Sequence, residues 1–355
     1  MSIRREQLDL EEDMQDALTG ILDERTRALV AAWALAWDQV ATELEAALLE
    51  AVTAAQGGRL TAGMVRRNVR LQSAIEAVAT ALVTLTGEAA AGVVRDLQVA
   101  AERAVTGHAA LIATQLPSAA AVAATGSATG VGVSVLRANP DQVAAMVRRA
   151  TGRITRDMGA MPDELASIIR SDLMRGIAVG DNPRATARRM VRRIEDRWDY
   201  SLSRAMVASR TETLDAHREA GRAVEQANTD VLAGWTWVAH VDKRTCRSCI
   251  AMHGTEYPVE VPGPEDHHQG RCARVPRTKT WEELGFEGIP EPPPLMVDAE
   301  REFRRLPVEA QREILTPAGY EAWQRGEYPV EEWTRRKTND GWRDSHVPTR
   351  PPRAA

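Results

Sequence analysis

The chain has 355 residues, 44% of them hydrophobic, a formal charge of −5 and three cysteines. That length and apolar content support two or three cored domains, while the mild charge excludes a uniformly basic nucleic-acid coat. No stretch approaches twenty uninterrupted apolar residues, so no membrane span is expected.

The front of the chain is patterned as helix. Leu18, Ile21, Leu22, Leu29, Trp33, Val40, Leu44 and Leu48 recur at three- and four-residue intervals, the period of an amphipathic helix, and Gly57-Gly58 ends it. Thr61 is placed to cap a second helix through Val65, Val69, Leu71, Ile75, Val78 and Leu82, and a third runs from about Gly87 to Gln115, before Pro117. Residues 1–50 carry twelve acidic and four basic side chains, which reads as a solvated acidic face. These helices make an N-terminal region, 1–116. Residues 117–138 are mostly Ala, Gly, Ser, Thr and Val and read as a linker. No Gly-Lys-Ser/Thr follows their glycines, so this is not a phosphate loop.

Asn139-Pro140 opens a central helical region, 139–232, because proline suits the first position of a helix. Asn182-Pro183 repeats the signal and starts a basic helix with Arg184, Arg188, Arg189, Arg192, Arg193 and Arg197. Such a stripe could meet phosphates, but Glu195 and Asp196 interrupt it and favour a solvated face. The next helix, about Ser201 to Ala227, holds Arg210-Thr211-Glu212. Residues at i and i+2 face apart on a helix, so this triplet is expected to dock its helix against the strand that begins at Trp235. His217 within that helix reads as a surface residue, and His108 and His346 stand alone in the sequence.

Composition then changes. Six of nine tryptophans and fourteen of eighteen prolines follow residue 230, which sets apart an α+β module at 233–290 and a helical, proline-rich tail at 291–355. Trp235 to Val241 alternates as a strand. Residues 254–261 could pair with it at an edge, where Pro258 is tolerated. A two-stranded unit buries too little to hold itself together.

All three cysteines lie in this module, as Cys246-Arg247-Ser248-Cys249 and, further on, Cys272, with His267-His268 between. A Cys-x2-Cys turn points two thiolates at one face of a tetrahedral ion, and a later His and Cys would close the shell. The spacing predicts one structural zinc held by Cys246, Cys249, Cys272 and either His267 or His268. The compact three-residue loop to Cys272 favours His268. Metal would supply the stability the small sheet lacks. A redox pair would need a strand-to-helix setting that these cysteines do not have, and three cysteines in a chain without a signal-peptide pattern do not make a disulfide scaffold.

The order of these pieces is informative. Arg210-Thr211-Glu212 on an alanine-rich helix, the Trp235–Val238 strand, Asp242-Lys-Arg-Thr-Cys-Arg-Ser-Cys249, His253-Gly254 and His267-His-Gln-Gly-Arg-Cys272 together resemble the phage Mu protein F-like minor head protein family, over roughly residues 140–280. The segments 306–315 and 319–326 are similar to the short helical tail of such proteins. The resemblance departs at Gly270, where members commonly carry a further cysteine, and it aligns His267 with the family histidine. It implies a phage minor capsid protein acting in head morphogenesis, with the portal and the capsid or scaffold proteins as partners and packaged DNA as a further one. The location implied is the virion, inside the capsid near the portal, after assembly in the host cytoplasm. It implies no enzymatic activity.

The residues agree with a non-enzyme, since no His-Glu-x-x-His base and no Gly-x-Ser-x-Gly elbow occurs. Two rival readings use the same module. One is a zinc-dependent His-Asn-His nuclease built on Asp266-His267-His268. The other is a zinc-knuckle DNA binder using Arg244, Arg247, Arg271, Arg274, Arg277 and Lys279. The expected fold is mainly α, with a small α+β zinc-knuckle module and a proline-rich C-terminal tail.

Overall fold

A computed structural model of the chain describes residues 5–55, 59–118, 135–174, 177–178, 183–291, 298–340 and 344–351. The linker expected at 117–138 lies largely outside these residues, as does Gly57-Gly58. The described chain is mainly helical. Its long helices are α1 (Arg5–Ala54), α3 (Val69–Ala113), α4 (Pro140–Met174) and α5 (Pro183–Gln226). A short helix, α2 (Ala62–Arg67), precedes α3.

Two start signals act as the sequence implies. The Thr61 hydroxyl accepts the Met64 amide at the head of α2, and the Asn139 side chain accepts the Asp141 amide at the head of α4. Two expected boundaries do not exist. The second helix of the N-terminal region breaks at Asn68, after which a single helix passes straight through Gly87. The two helices expected after Asn182 are likewise one, α5. Glycine or serine inside a helix costs at most about 1 kcal/mol against alanine, and the burial of Leu82, Leu85, Val93, Ile194, Trp198 and Ala205 outweighs that. Helix α3 is long and apolar enough to cross a membrane by length and composition, yet Leu71, Ile75, Val78, Leu82, Val93 and Leu97 along it are buried within the protein.

The chain divides into two compact units. One comprises residues 1–19, 97–147 and 214–355; the other comprises 20–96 and 148–213. In the second unit, the Trp33 indole donates to Ser201 at 3.0 Å and the Trp198 indole donates to the Trp33 carbonyl at 3.2 Å. Arg25 clasps Asp96 at 2.6 Å. Arg210 and Glu212 do make tertiary contacts, but to helices: Arg210 reaches Asp23 of α1 at 3.4 Å and Glu212 takes Arg153 of α4 at 2.7 Å. The strand at Trp235 is not their partner.

The first unit holds the sheet. Strand β3 (Leu232–Val238) lies between β4 (Glu256–Tyr257) and β5 (Ala273–Thr278), antiparallel to both. The expected pair is therefore three-stranded, with β5 as the strand the sequence hid. A short two-stranded pair, β1 (Arg59–Leu60) with β2 (Ile177–Ala178), belongs to the other unit. Helix α6 (Arg247–Met252) follows β3. After it come α7 (Ala299–Arg304), α8 (Val308–Leu315) and α9 (Pro317–Gln324), a 3-10 turn (Val330–Trp333) and the hairpin β6–β7 (Thr334–Lys337, Ser345–Pro348). These residues are not a loose tail: Phe303, Leu315, Trp323, Tyr328 and Trp333 pack with Ile250 of α6 into one apolar cluster.

Candidate metal centre

Cys246 is the N-cap of α6, and its sulfur accepts the Cys249 amide at 3.4 Å. One helical turn therefore puts both sulfurs on the same side. The Asp242–Thr245 turn fixes the approach. Burial alone would raise the Asp242 pKa, but Arg271, bound to both its oxygens at 2.6 and 2.8 Å, and the Arg244 amide hold it well below the usual carboxylate range. Asp242 and Arg271 thus tie the residues ahead of Cys246 to the residue ahead of Cys272.

His267 completes the cluster. Its Nε2 lies 3.1 Å from the Cys246 sulfur and 3.5 Å from the Cys249 sulfur, and the three donor atoms sit within 4.8 Å of one another. Zinc bonds of 2.3 Å to sulfur and about 2.0 Å to nitrogen, at the tetrahedral angle, separate S and N by about 3.6 Å. The observed spacings are close to that. The second ring nitrogen, Nδ1, faces the His268 carbonyl at 2.8 Å, the outer hydrogen bond that orients a ligating imidazole and leaves Nε2 for the metal. His268 is exposed and is not among the three. Among the described residues it is His267, the histidine that the resemblance aligns, and not His268, the one that loop length favours, that lies beside the two cysteines. Cys272 is buried and lines the same small cavity of about 50 Å³ as Cys246, Cys249 and His267, a space on the scale of one ion or water.

Electrostatics favour ligation as well. A hydrogen bond with Cys249 and then His267 pull the Cys246 thiol down to about 4, against the opposing effect of burial. His267 is raised to about 9 by the Cys246 sulfur. The Cys249 thiol is held high by Cys246, Cys272 and burial. A divalent cation entering here would meet a ready thiolate at Cys246 and would displace the proton from the His267 imidazolium. The residue types, spacings and outer hydrogen bond fit a zinc ion held by Cys246, Cys249 and His267, with Cys272 beside them.

The other singled-out residues fall elsewhere. His253 caps the end of α6, and its Nδ1 accepts the Ala239 amide at 2.9 Å, so it joins α6 to the residue after β3. Burial pushes its pKa down to about 4. His217 is buried, as is His108, which lies 3.3 Å from Glu225. His346 meets the Trp237 ring edge-on. None of these three is the surface or isolated residue that the sequence suggested.

The rival readings lose their residues. Asp266 is fully buried and both its oxygens are bound by Arg218, at 3.0 and 2.7 Å, so it is not poised as a nuclease acid. The knuckle cations each have a partner within the chain: Arg247 the Thr349 carbonyl, Arg271 Asp242, Arg274 Glu225, Arg277 Glu256, Lys279 the Asp230 carbonyl and Arg244, which is exposed, Asp242. Arg218 is what sequence reading missed: apart from Asp215 on its own helix, its partners Asp266, Gly270 and Cys272 lie about fifty residues away and no local pattern marks them.

Compared with known proteins, the chain has no significant match among curated proteins or solved structures. One family profile matches, described as Phage Mu protein F like protein, over residues 167–276. The matched stretch runs from within α4 to β5 and contains Arg218, Cys246, Cys249, His253, His267 and Cys272. The chain is thus similar to the Phage Mu protein F like protein family over residues 167–276.

Proposed function

We propose that the protein is a phage minor head protein acting in head morphogenesis, associated with the portal, with one structural zinc in the Cys246–Cys249–His267–Cys272 module. The observation that carries this reading is the family match over 167–276, which encloses the whole Cys/His cluster. We read the zinc as structural because the two carboxylates beside the cluster are already engaged, Asp266 with Arg218 and Asp242 with Arg271. A catalytic zinc keeps an open position beside a free base. The protein acts through its surfaces, toward the portal and the capsid or scaffold proteins, inside the virion.

Contact with packaged DNA belongs to α5 rather than to the knuckle. Arg184, Arg192, Arg193 and Arg197 are exposed and have no ion-pair partner among the described residues; of the six stripe arginines only Arg188 meets a carboxylate, Glu45, at 3.4 Å. Arginines held this way are free to neutralise phosphates.

The test is deletion of the gene in its phage, followed by electron microscopy of the particles and an infectivity count. The reading expects defective or poorly infectious heads. Normal heads at normal titre, with a metal-dependent DNA cleavage lost from the lysate, would replace it by a nuclease.

A further inference from the structure

Arg218 of α5 is a buried arginine set against the loop that carries His267 and Cys272. Its side chain is more than nine-tenths buried and all five N–H donors of the guanidinium have an acceptor. Nε donates to the Cys272 carbonyl at 2.9 Å, Nη1 to Asp215 at 3.2 Å and to Asp266 at 3.0 Å, and Nη2 to Asp266 at 2.7 Å and to the Gly270 carbonyl at 2.6 Å. Three of those acceptors belong to the loop that delivers His267 and Cys272. Asp266 is the residue before His267. The Gly270 and Cys272 carbonyls flank the last step to the third cysteine.

Gly270 is part of the same arrangement. A Cβ there would lie 2.1 Å from Asp266 Oδ2 and 2.9 Å from the His267 carbonyl. The Asp266 carboxylate fills the space where a side chain at 270 would begin, so any larger residue displaces the carboxylate from Arg218.

We propose that Arg218, Asp266 and Gly270 form a brace that positions His267 and Cys272 for the metal, so that zinc affinity is set from α5, outside the knuckle. This rests on the reading of the cluster as a zinc site. Arg218 and Asp266 touch no ligand atom of His267 or the thiols in this role; they fix the backbone that carries them. The bidentate pair cannot be reproduced by lysine, whose ammonium offers no fork. Removal of an outer-shell partner of this kind commonly weakens metal affinity 10- to 100-fold.

The experiment uses the full chain and zinc itself. Zinc content of the wild-type protein is measured first, then its affinity by competition with a chromophoric chelator. The same measurement is made on Arg218→Lys, Gly270→Ala and the double variant, with melting temperatures recorded with and without zinc. The brace expects each single variant to lose at least tenfold in affinity, the double variant to be no weaker than the weaker single, and the rise in melting temperature on adding zinc to shrink in each. Affinities within tenfold of wild type in both single variants, with only the metal-free melting temperature lowered, would show that Arg218 merely stabilises the fold and would overturn the proposal. Should Arg218→Lys fail to fold, Gly270→Ala decides alone, since it leaves the arginine in place. A wild-type chain that holds no zinc refutes the metal reading before any variant is made, so the two failures are told apart.

Discussion

Arg210 and Glu212, two residues apart on α5, bind different helices: Arg210 takes Asp23 of α1 and Glu212 takes Arg153 of α4. The Glu212 side chain is largely buried while Arg153 is half-exposed, so the pair is partly screened and contributes about 1 kcal/mol at most. Glu212→Ala should therefore lower the melting temperature by about 2–4 °C, the shift such a loss causes in a unit of this size. An unchanged melt in a calorimeter would make the pair merely superficial. His217 gives a sharper test. Burial, together with His108 and Arg218, pushes its pKa down to about 3, from 6.5. Below pH 6.5 the unfolded chain takes up a proton at this residue that the folded chain refuses, so stability falls as pH drops from 6.5 toward 3. The slope it adds is up to about 1.4 kcal/mol per pH unit. Denaturant titrations of His217→Gln against wild type across pH 4–7 should show a flatter acid limb in the variant; parallel limbs would mean that His217 is hydrated. The cysteine pair was legible because a helix turn alone brings Cys246 and Cys249 together. Loop length alone pointed to His268 and only the family resemblance to His267; the ring that lies beside the two sulfurs, His267, is oriented by its Nδ1 facing the His268 carbonyl, which spacing does not show.

Hydrophobic period found the helices and misjudged where they stop. Gly87 and Ser201 look like boundaries only if local propensity decides, and both are carried through by buried neighbours on the same helix. Strand β5 stayed hidden for a different reason. Its sequence, Ala273-Arg-Val-Pro-Arg-Thr278, has a charged residue inside: Arg274 is buried against Glu225 at 2.7 Å and stacks over Trp235 at 4.4 Å. Buried charges are rare enough that the pattern reads as exposed loop. Pro276 fits because β5 is an edge strand. The centre of the sheet makes the prediction at this scale. A Cβ at Gly234 would lie 2.3 Å from the Tyr257 carbonyl, so Gly234→Ala must push β4 away from β3. The expected loss is about 1–3 kcal/mol, the range for overpacking, read as a lower midpoint in urea. A midpoint equal to wild type would show that β4 moves aside freely.

At the scale of the whole molecule the sequence could not show that each unit is assembled from separated stretches of the chain. Each long helix keeps one apolar period from end to end, while the contacts regroup residues 1–19 and 97–147 with 214–355. The C-terminal region was also underestimated. The sequence suggested a helical, proline-rich tail, but Phe303, Trp323, Tyr328 and Trp333 are spaced by loops rather than by a helical period, so their common cluster is visible only in three dimensions. The stretch that matches the family profile, 167–276, contributes to both units; within it Ile250 of α6 packs on the C-terminal cluster and Asp266 is bound by Arg218 of α5. The most direct test is the protein content of gradient-purified mature particles, by quantitative mass spectrometry against the portal protein. The account predicts the chain in the particles, in a fixed low number comparable with the portal's. Its absence from purified particles while it is abundant in the same lysate would contradict a place in the head.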